Sequence, residues 1–177
     1  MSAIEDTLKL QPGETILIQG GAGGVASFAI QLAKHIGARV ITTASAPNHP
    51  YLRNIGADEI VDYNTRDFTQ VVANCDAVFD TVGGDVAQRC FAVLKLGGRA
   101  AFIASGPQAP KPYRDDVKSL RPPVGRAREH LDRIVQLFQA GAIRAPEITL
   151  YRLSEASAAH RLSESRHFRG KLVFRVR

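Results

Sequence analysis

Apolar positions along the first hundred residues follow two periods in turn. Thr15–Gln19, Arg39–Thr43, Glu59–Val61, Ala77–Asp80 and Arg99–Ala104 are short, nearly continuous apolar runs. Such runs read as strands buried on both faces. Between the first two, Gly24–Ile36 repeats Val25, Phe28, Ala29, Leu32, Ala33 and Ile36 at helical spacing, and Gly37 stops it. Asn48–Ile55, Phe68–Ala73 and Asp85–Leu94 read as further helices, the first closed by Gly56 and the last by Gly97 and Gly98. Strands separated by helices of this length predict a parallel, right-handed, doubly wound α/β sheet.

Beyond residue 104 the pattern changes. Ser105–Tyr113 holds three prolines and reads as a loop. Asp116–Arg121 is expected to be a sixth strand. Arg126–Ala140 is expected to be an amphipathic helix with Leu131, Ile134, Val135, Leu137 and Phe138 inward. After the break at Pro146, a strand is expected at Glu147–Leu150, a helix at Ser154–Ser163 capped by Ser154, and a half-exposed strand at Lys171–Val176.

Charge divides the chain unevenly. Residues 1–104 carry 8 Lys/Arg against 10 Asp/Glu, and residues 105–177 carry 15 against 7. The basic residues are scattered without aromatic interleaving, which favours a solvated or ligand-facing surface over nucleic-acid binding. No apolar run reaches the ~18 residues of a membrane span. The N-terminus lacks the basic and apolar segments of a signal peptide. Cys75 and Cys90 are too few and too separated for a disulfide framework or a zinc site, and both read as core thiols. The expectation is a cytoplasmic protein with no membrane, nucleic-acid or metal partner.

The sharpest motif is Gly20-Gly21-Ala22-Gly23-Gly24-Val25-Ala26, between the first strand and the first helix. It contains G-x-G-x-x-A at Gly21, Gly23 and Ala26. Gly21 is expected to permit the tight turn, Gly23 to let a pyrophosphate approach backbone, and Ala26 to pack helix on strand. Free N–H groups at the helix start then bind phosphate. The expected fold is thus a Rossmann-type doubly wound parallel sheet of about six strands, followed by a C-terminal helix and strand.

The end of the second strand, Thr43-Ala44-Ser45-Ala46-Pro47-Asn48-His49, holds no carboxylate for a ribose diol. That favours NADP(H) over NAD(H), with Ser45 as a hydrogen-bond donor and His49 and Arg53 as nearby cations. It also weakens an S-adenosylmethionine site. The residues four after Tyr51, Tyr63, Tyr113 and Tyr151 are Ile55, Asp67, Val117 and Glu155, so no Tyr-x-x-x-Lys is present. There is no Gly-Lys-Ser/Thr of a P-loop. No catalytic group stands out; His130, His160 and His167 read as surface histidines.

Gly13-Glu14-Thr15, Gly20–Ala26, Gln31-Leu32-Ala33-Lys34, Gly56-Ala57-Asp58, Asp62-Tyr63, Phe79-Asp80-Thr81-Val82-Gly83-Gly84, Leu96-Gly97-Gly98-Arg99 and Arg169-Gly170-Lys171-Leu172-Val173 occur in order. Together they resemble the cofactor domain of medium-chain dehydrogenase/reductases, the alcohol dehydrogenase-like superfamily, in its zinc-independent quinone oxidoreductase branch. The resemblance implies that Gly23, Gly24 and Val25 lie on the pyrophosphate, with Gly21 counted among the cofactor-binding residues for the tight turn. Ser45 and Tyr63 would face the adenosine ribose or its 2′-phosphate. Thr81 and Val82 would border the nicotinamide ribose, and Ile103, Ala104 and Ser105 the nicotinamide. Tyr63 and Thr81 also fit plain packing or turn capping. Relatives using NADPH carry a lysine near position 48, where this chain has Asn48.

Full-length relatives begin with a β-rich catalytic domain that supplies most of the substrate site. The resemblance therefore implies a dinucleotide-binding domain over residues 1–145 and, over 146–177, a segment that in relatives returns to the catalytic domain. That segment could pack on the core, pair between copies or be loosely ordered. The free edge of the sixth strand is a further pairing site, and the resemblance implies that it joins two copies as a homodimer. Two functions follow. One is the NAD(P)H-binding part of an oxidoreductase that passes hydride to a quinone or conjugated carbonyl. The other is a stand-alone dinucleotide-binding module or sensor without turnover.

Overall fold

Six strands, β1 (Thr15–Ile18), β2 (Arg39–Thr43), β3 (Glu59–Val61), β4 (Cys75–Asp80), β5 (Leu94–Phe102) and β6 (Lys118–Leu120), pair in the order β3-β2-β1-β4-β5-β6. Every pairing is parallel. The computed structural model describes residues 1–124, 127–165 and 168–176. The order is that of a doubly wound dinucleotide-binding sheet. The alternation of side chains along each strand supplies two cores. Ile16, Ile18, Val40, Ala77, Phe79 and Ala101 pack on one face with Ile4, Leu8, Ala26, Ile30 and Leu137. Leu17, Ile41, Val78, Ala100 and Phe102 pack on the other with Phe68, Cys90 and Phe91.

Helices α1 (Ala26–Ile36), α2 (His49–Asn54), α3 (Phe68–Val71) and α4 (Gly84–Arg89) make the crossovers. Gly37 ends α1 in the left-handed conformation, as expected. The largest departures from the expected boundaries lie between α4 and β5. The helix at α4 stops at Arg89, and a 3-10 turn over Cys90–Val93 leads directly into β5. Leu94 already pairs with Cys75, and the register then slips so that Ala77 faces Arg99. Gly97, at φ +73, therefore shapes an irregularity inside β5 rather than a helix end.

Helix α5 (Arg128–Gln139) corrects a second expectation. Leu137 is buried, but Leu131, Ile134, Val135 and Phe138 are exposed. The helix flanks the sheet, so only one row of its apolar stripe reaches the core. Ile134, Val135 and Phe138 instead line a shallow apolar depression with Phe28, Ile143 and Pro146. Arg126, the expected helix start, lies outside the described residues.

The C-terminal strands β7 (Ile148–Arg152) and β8 (Lys171–Arg175) pair with each other in parallel, with α6 (Ala156–Ser165) between them. Pairing of β7 with β8 within one chain is an arrangement that none of the three expectations for this segment named. The Glu155 carboxylate accepts from the Arg152 N–H at 2.6 Å in the 3-10 turn over Leu153–Glu155 that leads into α6, and no capping bond from Ser154 is found among the described residues.

A π-helical turn over Ser2–Thr7 buries Ile4 and precedes β1. Arg99 anchors its exit. The guanidinium donates to the Leu8 carbonyl, to Lys9 O at 3.3 Å, to Asp76 O at 3.2 Å and to both Glu14 carboxylate oxygens at 3.0 and 2.6 Å. Lys9 sits at φ +48, a conformation that this clamp holds. Arg99→Met is expected to cost about 2–3 kcal/mol, because it leaves carbonyls and a half-buried carboxylate without their donor. Urea unfolding checks this; an unchanged midpoint would mean that water replaces the clamp freely.

Candidate functional site

A cleft of about 1490 Å³ opens at the carboxyl ends of β1, β2 and β4 and beside the end of β5. The chain direction reverses its winding between β1 and β4, the place where open parallel sheets hold ligands. Its volume exceeds the roughly 300–1,000 Å³ usual for a small-molecule pocket and suits an extended ligand.

Three strand ends are tied together at its floor. Thr43 Oγ1 donates to the buried Gln19 Oε1 at 2.6 Å and accepts from the Gly20 N–H at 3.1 Å. Thr81 Oγ1 donates to Gln19 O at 2.8 Å. Gln19 Nε2 points at the Cys90 thiol, 3.8 Å away. Gln19 was not foreseen; its signal was a polar side chain in the last position of an otherwise apolar buried run.

The glycine loop works differently in detail from its sequence reading. The left-handed residue is Gly20, at φ +72, not Gly21. A Cβ on Gly21 would lie 2.2 Å from Thr42 Oγ1, so Gly21 is small because β2 packs against it. Gly21 therefore sits behind the cleft wall. Gly20, Ala22 and Gly23 form the wall, and a Cβ on Gly23 would meet Gly20 O at 3.1 Å. Ala26 is fully buried, as the packing role requires. Among the described residues, no acceptor faces the N–H of Gly24 or of Val25, at the entrance to α1. Gly24 and Val25 lie beside the cleft wall, not in it, and a Cβ on Gly24 would come within 2.6 Å of Lys171 Nζ. The residues fit a phosphate group at Gly23: no Cβ there, free donors at the positive end of an 11-residue helix, and an ammonium group against Gly24.

Asp80 sets the opposite wall. Its carboxylate is fully buried and accepts from the N–H of Val82 at 3.0 Å and of Gly83 at 3.0 Å. Burial pushes its pKa above the usual carboxylate value, although these two bonds pull it down. The turn so held presents Thr81 and Val82 to the cleft. Ser45, Tyr63 and Ala104 also line it. Ile103 instead packs on the core, and Ser105 is absent from the wall; its Oγ is buried with no hydrogen-bond partner among the described residues.

The cationic candidates near β2 are otherwise engaged or remote. His49 Nε2 lies 3.3 Å from Ala44 O, and Arg53 is not part of the wall. Asn48 Nδ2 donates to Ser45 Oγ at 3.1 Å, so the two act as one polar edge. Wall residues not foreseen from the sequence include Arg66, Arg89, Phe68, Glu147, Thr149, Phe168 and Arg169. Arg89 is committed: it bonds Asp67 and stacks 5.0 Å from the Phe68 ring.

Burial raises the pKa of Cys75 to about 12 and lifts Cys90 further, so neither is a ready thiolate. His130 meets Asp6 at 3.3 Å, away from the cleft, and His160 is exposed on α6. His167 lies outside the described residues. No three His, Cys, Asp or Glu come together among the described residues. Among the same residues, no helix is long and apolar enough to cross a membrane.

A family model described as zinc-binding dehydrogenase matches residues 55–174. The structure of a quinone oxidoreductase from Coxiella burnetii superposes with a TM-score of 0.88 at 37% identity, over 96% of this chain and 55% of that one. A polyketide synthase of Mycobacterium marinum, the phenolphthiocerol synthesis type I enzyme Pks15/1, is 34% identical over 96% of this chain and 9% of its own length. An NADPH-dependent alkenal/one oxidoreductase of Arabidopsis thaliana is 36% identical over 60% of this chain and 28% of its own length. The chain thus spans about half the length of the quinone oxidoreductase and a smaller part of the other two.

Proposed function

We propose, from the premise that this chain belongs to the zinc-binding dehydrogenase family, that it is the dinucleotide-holding part of an oxidoreductase acting on a quinone or conjugated carbonyl. The free N–H groups of Gly24 and Val25 beside the bare wall at Gly23 carry this reading. They would hold the pyrophosphate, with Gly21 keeping the loop against β2. Ser45 and Tyr63 would hold the adenosine ribose, Thr81 and Val82 the nicotinamide ribose, and Ala104 the nicotinamide, with Ile103 and Ser105 behind the wall beside it. When bound, the nicotinamide supplies the hydride. The chain's own residues orient it: Asp80 fixes the turn at Thr81 and Val82, and Gln19 locks that turn to β1 and β2.

NADP(H) is the proposed cofactor. The β2 end carries no carboxylate to repel a 2′-phosphate, and the Arabidopsis relative is NADPH-dependent by name. On the same reading, residues 1–145 are the dinucleotide domain, and 146–177 are the part shared with a catalytic domain. The outer edge of β6 would pair two copies. A cytoplasmic setting fits two free, buried thiols.

Calorimetric titration with NADPH and then NADH tests the reading. Saturable binding of both, NADPH tighter, is expected; binding of neither would sink it. NADPH oxidation with a simple naphthoquinone then separates the alternatives: turnover by this chain alone would reject the stand-alone module.

A further inference from the structure

The first N–H groups of the glycine loop point into the fold. Gly20 donates to Thr43 Oγ1 at 3.1 Å and Gly21 to the Thr43 carbonyl at 2.9 Å. Gly23 donates to Gly20 O at 2.9 Å and closes the turn. With these donors turned inward, the N–H groups of Gly24 and Val25 stay free at the entrance to α1. Gly20 is also where the loop meets the turn after β4. A Cβ there would lie 3.0 Å from Val82 Cγ2 and 3.1 Å from Thr81 Oγ1. The direction of the Gly20 N–H thus bears on both walls of the cleft.

That direction depends on the Thr43 hydroxyl, whose hydrogen rotates unless something accepts it. With the hydrogen turned toward Gly20, the oxygen could not accept from the Gly20 N–H. Gln19 prevents this. Its Oε1 takes the Thr43 hydrogen at 2.6 Å and leaves a lone pair of the hydroxyl for Gly20. Gln19 is 2% exposed, and a hydroxyl left there without its acceptor would be costly. The amide is oriented from its other end, where Nε2 faces the Cys90 thiol at 3.8 Å. Burial pushes that thiol well above its ordinary pKa, so it stays protonated and neutral. Turning the amide over would set Nε2 against Thr43 Oγ1 and leave the hydroxyl hydrogen without an acceptor. An apolar side chain would suit packing at this buried strand end; what the amide adds is the acceptor.

We propose that Gln19 is a positioning residue of the phosphate site. It sets the Thr43 hydroxyl, the hydroxyl consumes the Gly20 N–H, and the glycine loop is thereby held with its free donors toward the ligand. Although Gln19 borders the cleft floor, it acts through Thr43 and not by touching the cofactor. This rests on the reading of the cleft as a dinucleotide site.

The test combines calorimetric titration of the full chain with NADPH and amide hydrogen exchange at Gly20 followed by NMR. The variants are Gln19→Met, which fills similar space without an acceptor, Thr43→Val, the two together, and Thr43→Ser, which keeps the hydroxyl. Gln19→Met and Thr43→Val are each expected to weaken NADPH by about 5-fold or more and to speed exchange at Gly20 by about 10-fold, the scale of one lost buried hydrogen bond. The double variant is expected to bind within about twofold of Thr43→Val, because both changes act through one bond. Thr43→Ser should match the unaltered chain in both readouts. Losses that add in the double variant overturn the proposal, since Gln19 would then act on the ligand directly or through the fold at large. So does weaker binding with exchange at Gly20 unchanged, faster exchange there with binding unchanged, or faster exchange at all amides alike. Should Gln19→Met not fold, the double variant decides: it leaves neither polar partner buried alone, and its affinity against Thr43→Val reads the same coupling. If the unaltered chain binds no dinucleotide, the functional reading fails and the proposal with it. If it binds and Gln19→Met binds as tightly, the proposal alone fails.

Discussion

Gly83→Ala is expected to lose about 3 kcal/mol or more of stability, through backbone strain added to a contact that cannot relax. Gly83 sits at φ +81 and ψ −165, a region that residues with a Cβ avoid. A Cβ there would lie 2.4 Å from Ala104 O and 2.9 Å from its carbonyl carbon. Both are backbone atoms at the end of β5, so no side chain can swing away. The N–H of Gly83 is also one of the donors that satisfy the buried Asp80 carboxylate. Gly84 provides the contrast. It too has positive φ, at +60, but open space where a Cβ would go. Gly84→Ala should cost about 1 kcal/mol, the conformational part alone. Urea unfolding of the two variants separates strain from contact. Equal losses would show that the ends of β4 and β5 move apart readily, and the cleft would then be less rigid than its hydrogen bonds imply.

The second large effect falls on binding instead of stability. Gly23→Val is expected to reduce dinucleotide affinity by about 100-fold or more, since a branched side chain would stand where the pyrophosphate must approach backbone. Gly23 carries no positive φ, and a Cβ would press only on Gly20 O at 3.1 Å. The fold should therefore survive with a loss of about 1 kcal/mol. Calorimetry with NADPH reads the first effect and thermal unfolding the second. Retained affinity in a folded variant would remove the glycine loop from the phosphate site.

The same loop shows how far local pattern can be read. That a glycine-rich turn joins β1 to α1 is visible from the glycines themselves. Which glycine does what is not. Gly20 makes the left-handed turn, and Gly21 is small because Thr42, on another strand, fills its space. Helix α5 teaches the same lesson from the other side. Its apolar period is plain in Leu131, Ile134, Val135, Leu137 and Phe138, yet four of the five are exposed. Periodicity tells a helix from a strand, but how much of a stripe is covered depends on what lies opposite.

The sequence by itself determined the alternation of strands and helices, the two-faced burial of β1, β2 and β4, and the phosphate-type loop between β1 and α1. These properties arise within a few residues, from side-chain period and backbone freedom, and so leave a local trace. Only the tertiary structure decided the network of Gln19, Thr43 and Thr81, the clamp of Arg99 on Leu8, Lys9 and Glu14, the pairing of β7 with β8, and the arrival of Arg169 over Tyr51. Each joins residues far apart in the chain. Their meeting depends on the packing of whole elements, which no periodic pattern in either partner records.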